Sequence, residues 1–204
     1  IFLKGTGGGS GSSTDNQGIF LNHIAGGIKT TGSGSITLIG TGGNTTGSAN
    51  EGIYINSPFI ESAAGDVSLT GYSNANSTPV AVNNTPVRTL TAGKTIQINA
   101  DDISYAGTIS TTGTTGSVTL KPTTTGRAVT LGINVANTLH LSSAELGAIS
   151  TYRLNIGDAN SGAITNNANQ ALSTISNSVA LTTGGALNLN ASSFGIGSAN
   201  LLIN

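Results

Sequence analysis

The chain has 204 residues, a formal net charge of −1 and only 7% charged residues, with 30 Gly and no Cys, Met or Trp. Seven Lys and Arg cannot neutralise a run of phosphates, which excludes a nucleic-acid protein working through a basic surface. The lack of cysteine excludes a disulfide framework, and with 4% aromatics a core must be built from small aliphatic side chains.

The first residues already carry the phrase on which the chain is built. Ile1-Phe2-Leu3-Lys4-Gly5-Thr6-Gly7-Gly8 is matched 35 residues later by Ile36-Thr37-Leu38-Ile39-Gly40-Thr41-Gly42-Gly43. Gly18-Ile19-Phe20-Leu21-Asn22 is matched 34 residues later by Gly52-Ile53-Tyr54-Ile55-Asn56. Such short alternating runs bounded by Gly read as half-buried strands. The phrase returns at Val67–Leu69, Ile96–Ile98, Val118–Leu120 and Leu187–Leu189, so the domain is an all-β solenoid that stacks repeated strand–turn units. The pattern places Ile36, Leu38, Ile53, Ile55, Val67, Leu69, Ile96, Ile98, Val118, Leu120, Leu154 and Ile156 inward. Thr37, Tyr54, Ser68, Gln97, Thr119 and Asn155 then point outward. The alternating runs are shorter than the roughly 9–11 residues of a membrane barrel strand, and no apolar run suits a membrane helix. There is no basic, apolar leader at the start.

The Gly/Ser/Thr/Asn tracts between matched strands, residues 5–17, 40–51 and 71–79, are expected to stack as a lateral polar fin. Register then places Phe20 over Tyr54, with Ala81 continuing the column, at about 4.8 Å strand spacing. Asn22, Asn56 and Asn83 each end a strand and form a candidate turn ladder.

Three regions follow from loop length: long-loop coils over 1–86, shorter coils over 87–138 and coils with a helical insertion over 139–204. About 20–22 short strands, three to a coil, make about seven coils and a rod roughly 34 Å long. Residues 167–172 read equally as a loop or a helical turn. Ser142-x-x-Glu145 is a capping box that opens a helical turn near 142–147, limited by Gly147.

The block from Leu139-His140-Leu141-Ser142-Ser143-Ala144-Glu145-Leu146-Gly147 to Arg153-Leu154-Asn155-Ile156-Gly157-Asp158-Ala159-Asn160-Ser161-Gly162-Ala163-Ile164 resembles a segment of very large bacterial exoproteins. These are related to the filamentous haemagglutinin and two-partner-secretion adhesins. The resemblance implies a right-handed parallel β-helix, export by a dedicated outer-membrane transporter, and a role in adhesion or surface structure. The family's N-P-N-G-I type secretion motif has no match, since Asn83-Asn84-Thr85-Pro86 departs from it. The resemblance therefore implies an interior passenger segment, and it brings no catalytic residues.

Acid/base or calcium chemistry on a β-helix needs carboxylates converging on one face. Of the eight acids only Asp101 and Asp102 are adjacent, and neighbours along a strand point to opposite faces. His23 and His140 are separated, without the spacing of a zinc site. Gly7-Gly8-Gly9 opens no helix and is no phosphate cradle. Thr89-x-Thr91, Thr112-x-Thr114 and Thr123-x-Thr125 recur at irregular offsets, unlike an ice-binding face. Asn44, Asn76 and Asn190 begin sequons.

The expectation is a secreted, cell-surface structural or adhesive segment with no cofactor, metal or catalytic residues, no nucleic-acid partner and no membrane insertion. Phe20, Tyr54 and Tyr72 are the candidate contacts to host or neighbouring-cell surfaces, glycans or matrix. Uncapped strand phrases at both termini predict a continuing chain or end-to-end self-association. A polysaccharide lyase or hydrolase, or a self-assembling sheath or surface-layer subunit, are the alternatives.

Overall fold

The computed structural model describes residues 1–23, 25–73, 77–190 and 193–204. Two three-strand passages come first: β1 (Phe2–Thr6), β2 (Ile19–Asn22), β3 (Ile28–Thr30), then β4 (Ile36–Thr41), β5 (Ile53–Asn56), β6 (Ile60–Ser62). β7 (Val67–Tyr72), β8 (Val80–Val82) and β9 (Val87–Thr89) repeat the order, as do β10 (Thr95–Asn99), β11 (Ile103–Tyr105) and β12 (Ile109–Thr111). β13 (Ser117–Lys121) and β14 (Ala128–Leu131) lead to β15 (Thr138–Leu141), the helix α1 (Ser143–Gly147) and the long β16 (Ile149–Ile156). The rest are β17 (Ile164–Asn166), β18 (Gln170–Ala171), β19 (Ile175–Leu181), β20 (Leu187–Leu189), β21 (Phe194–Gly195) and β22 (Asn200–Ile203).

The strands pair in parallel with equivalent strands of the neighbouring passage, which makes the fold all-β and solenoid-like. A first row runs β1-β4-β7-β10-β13-β16-β19-β22, a second β2-β5-β8-β11, and a third β3-β6-β9-β12. In the first row Leu3, Leu38, Leu69, Ile98, Leu120, Ile156, Leu181 and Ile203 stand in one register column. The sequence step between members is 22 residues from Ile98 to Leu120 but 36 from Leu120 to Ile156. Loops absorb the variation because a one-residue slip would turn every apolar side chain outward. All twelve side chains expected inward are at most 1% exposed, each burial contributing about 1.5–3 kcal/mol. The six expected outward are half-buried by their neighbours in the column.

The fin forms as expected over its described residues. Thr46 N donates to Gly11 O at 2.8 Å and Asp15 N to Ser48 O at 3.3 Å, joining one loop to the next. Its neck is backbone against backbone. A Cβ on Gly40 would lie 1.9 Å from Gly52 O, and on Gly42 1.8 Å from Asn50 O. Gly5 and Gly7 stand equally close to Gly18 O and Asn16 O. Inside the neck Asn50 is fully buried. Its Oδ1 accepts from Asn16 N and Nδ2, and its Nδ2 donates to Thr45 Oγ1 and Gly47 O.

A second polar column lines the corner between the third row and the first. Thr30, Ser62, Thr89 and Thr111 are in register at the ends of β3, β6, β9 and β12. Ser62 Oγ lies 3.1 Å from Thr30 Oγ1 and accepts from Gly65 N, while Thr111 Oγ1 lies 2.6 Å from Thr151 Oγ1. Ser62 Oγ thus serves turn backbone that the strand ladders do not reach, whereas Thr89 Oγ1 is buried without a partner among the described residues.

The grouping of three strands to a passage does not hold between residues 128 and 148. β15 pairs in parallel with β14 only ten residues away, Ala128 opposite Thr138, while the other edge of β14 pairs with β17. The chain thus doubles back and adds a strand to one row. Gly132 at φ 115° and Asn137 at φ 62° bound the tight connection. The capping box then opens α1: Ser142 Oγ accepts from Glu145 N, and Glu145 Oε2 accepts from Ser142 N. Glu145 Oε1 also accepts from Tyr105 N at 3.2 Å, tying the end of the second row to the helix. The ambiguous stretch 167–172 contains the short strand β18.

Candidate functional site

The outward residues are placed by the same registers that bury the core. Phe20 and Tyr54 are partners on β2 and β5, and their rings stack at 5.2 Å with 23° between planes. Ala81 follows in register but is buried. Tyr72 lies on a different row, at the exposed end of β7, so the structure pairs two of the three aromatic candidates and sets the third apart. In the Asn column, Asn56 Nδ2 donates to Asn22 Oδ1 at 3.1 Å, and Asn83 N donates to Ile55 O. Asn44 and Asn190 are exposed. Asn76, and the two residues after Asn190 in its sequon, lie outside the described residues.

Tyr72 belongs to a cleft of about 390 Å³ on the outer side of the first row. Its floor is a register column, Ile39, Thr70, Asn99 and Lys121. Asn99 Nδ2 donates to Thr70 Oγ1 and Asn99 Oδ1 accepts from Gln97 Nε2. At the far end Lys121 Nζ donates to Asp158 Oδ2 at 3.0 Å. Burial would raise the Asp158 carboxyl, but Lys121, Asn160 N and Ser161 Oγ together hold it below the ordinary carboxylate range. The loop Pro122–Thr125 forms the remaining wall.

That wall is fastened from behind by Asp101. Its Oδ1 accepts from Thr123 N, Thr123 Oγ1 and Thr124 N, and its Oδ2 accepts from Thr124 Oγ1. Burial pushes the Asp101 carboxyl up, yet the Thr124 and Thr123 bonds and the nearby Arg127 bring it below its ordinary value. Arg127 Nη2 donates to Asp101 O at 3.2 Å. Asp102 behaves oppositely: burial raises its carboxyl and the Glu145 charge adds to the rise, against the Ile103 amide and His140. Asp101, Asp102 and Arg127 border a second cleft, also about 390 Å³, with the connection between β14 and β15.

Comparison with protein-family models, curated proteins and solved structures finds no match. The chemistry of the site therefore rests on these residues. Among the described residues no three metal-type ligands converge and no helix is long and apolar enough to cross a membrane.

Sequence reasoning missed most of the cleft. Its floor was legible, because Thr70, Asn99 and Lys121 each follow the second core residue of a copied phrase. Its wall was not, because the bonds from Asp101 to Thr123 and Thr124 span 22 and 23 residues and no local pattern announces them.

Proposed function

We propose that this chain is a structural and adhesive segment of a secreted bacterial surface exoprotein. In this reading it is a right-handed parallel β-helix of about seven coils, three strands to a coil outside residues 128–148, the hand that parallel crossovers adopt in about 98% of cases. The supporting observation is the outer side of the first row. Thr37, Ser68, Gln97, Thr119 and Asn155 are consecutive partners there, presenting hydroxyl and amide groups at every step with little charge. Such a surface binds through many weak polar contacts whose effect multiplies along the rod. The block 139–164 that resembles two-partner-secretion adhesins points the same way. Binding of labelled protein to mammalian and bacterial cells tests this, with electron microscopy separating an adhesin from a self-assembling sheath. Protein that binds no surface and forms ordered filaments would replace the adhesive reading by the sheath reading.

The lyase or hydrolase reading keeps one observation in its favour. Arg127 lies against Asp101, and Glu145 and His140 both act on Asp102. A reducing-end and unsaturated-product assay on polygalacturonate decides it: turnover lost in Asp102→Asn would establish the enzyme, and none is expected.

A further inference from the structure

We propose that the cleft between Tyr72 and the Pro122–Thr125 loop is a binding subsite for an uncharged oligosaccharide. The inference rests on the adhesive reading and gives it a ligand class. Three features of the cleft select that class.

The first is charge. The cleft's cation, Lys121, is paired with its carboxylate, Asp158, at 3.0 Å, so a charged ligand would find its counter-charge already engaged. Lys121 nevertheless retains two ammonium donors beyond the one used by Asp158.

The second is the distribution of polar capacity. Asn99 spends one amide hydrogen on Thr70 and one lone pair on Gln97, which leaves one donor and one acceptor. Thr123 and Thr124 donate their hydroxyl hydrogens to Asp101, leaving their oxygens as acceptors. An apolar ligand would leave the remaining donor and acceptor of Asn99 and the two spare Lys121 donors without partners. A sugar's ring of hydroxyls both donates and accepts, and matches such a mixed set. The Tyr72 ring, 46% exposed, and Ile39 supply apolar surface for the C–H face of a sugar ring.

The third is the backbone. β7 and β10 form the floor and are paired on both edges. An extended peptide could not bind here by adding a strand. The volume of about 390 Å³ lies at the small end of the usual ~300–1,000 Å³ range for ligand pockets, which suits a short saccharide stretch. Asp101 keeps the wall in place before any ligand arrives, and that preorganisation lowers the ordering cost of binding.

The test titrates isotope-labelled protein separately with cellotetraose, laminaritetraose, mannotetraose, chitotetraose and tetragalacturonate, followed by amide NMR shifts. At least one neutral tetrasaccharide is expected to shift Tyr72, Asn99 and Lys121 saturably, with Kd below about 10 mM. Affinity should fall about tenfold or more in Tyr72→Ala and in Asn99→Ala and stay unchanged in Leu90→Ala, an exposed position outside the cleft. Both variants are first checked for wild-type circular dichroism, and Asn99→Ala serves alone if Tyr72→Ala misfolds. Tighter binding of tetragalacturonate, saturation by none of the neutral sugars, or unchanged affinity in both variants overturns the proposal. Wild-type cell binding that persists in Tyr72→Ala and Asn99→Ala sinks the cleft as the adhesive site and leaves the adhesive reading intact. Saccharide binding at the cleft without any cell binding sinks the adhesive reading alone.

Discussion

The fin neck and the stretch from β14 to β18 solve the same problem in different ways. Both must bury polar groups beside the apolar column. In the neck, successive passages carry equivalent loops, so from one copy to the next Asn16 donates to Asn50 and Thr45 donates to Ser13 O. Around β14–β18 no passage repeats the one before it. Single devices stand in for repetition there, such as the capping box and the Glu145 bond to Tyr105 N. Satisfaction is also incomplete: Asn166 is 1% exposed, yet neither amide atom has a hydrogen-bond partner among the described residues. In the neck, repetition supplies Asn50 with its partner from the neighbouring copy, although Glu51 Oε2, Ser57 Oγ and Thr89 Oγ1 in the repeated passages also lack partners among the described residues.

The largest effect is expected where two backbones touch. Gly42→Ala would place a methyl 1.8 Å from Asn50 O, and neither backbone can yield without opening the neck. Loss of about 3 kcal/mol or more, the upper end of overpacking costs, should appear as a lower urea midpoint. Gly8→Ala, where the added atom meets nothing within 4 Å, is the control and should stay near wild type. Equal behaviour of the two variants would remove the packed neck from the argument.

Next comes the amide at the centre of the neck. Asn50→Leu leaves Asn16 N, Asn16 Nδ2, Thr45 Oγ1 and Gly47 O without this partner. A buried group deprived of its partner costs about 1–3 kcal/mol, so a loss of at least about 2 kcal/mol is expected in chemical denaturation. Faster amide exchange at Asn16 and Gly43 should accompany it.

A smaller loss tests the single devices. Glu145→Ala removes the acceptor for Ser142 N and for Tyr105 N, and loss of a helix cap costs about 0.5–2 kcal/mol. Exchange should speed up at Tyr105 and across α1 while the fin is untouched. Uniform destabilisation of both regions would mean that they do not open separately.

What could be read in the sequence divides along the same line. The alternation in Ile36-Thr37-Leu38 and its copies placed the first-row core, because a period of two over a Gly-bounded run leaves one arrangement. The matched steps of 34 and 35 residues revealed the fin, and Ser142-x-x-Glu145 revealed the helix. Extending the Gly18–Gly52 match back by two residues, to Asn16-Gln17 and Asn50-Glu51, would have exposed the neck amides as well. The corner hydroxyl column was harder to see. Its units, Ile28-Lys29-Thr30, Ile60-Glu61-Ser62, Val87-Arg88-Thr89 and Ile109-Ser110-Thr111, are three residues long and too short for alternation to assign a face. The doubling back of β15 was not legible at all. Which strand lies beside β14 is settled by tertiary pairing, and Leu139-His140-Leu141 reads the same whether it advances the stack or returns beneath it.

Asn166→Leu should produce the smallest effect, of opposite sign to Asn50→Leu. Asn166 sits in register between Leu131 on β14 and Leu189 on β20, so leucine extends an apolar column already present on both sides. Leucine keeps the branch at Cγ and the number of side-chain heavy atoms, so overpacking is confined to its two larger methyl groups. The buried amide brings desolvation cost with no protein bond to offset it, so removing it should leave stability unchanged or raise it by about 1 kcal/mol. The two variants make the same substitution at positions 0% and 1% exposed, so burial cannot account for a difference between them. Denaturant midpoints that move in opposite directions would tie the cost of a buried amide to whether a repeated neighbour meets it. If Asn166→Leu instead loses about as much as Asn50→Leu, the Asn166 amide is bonded in solution, and repetition is not what separates the two regions.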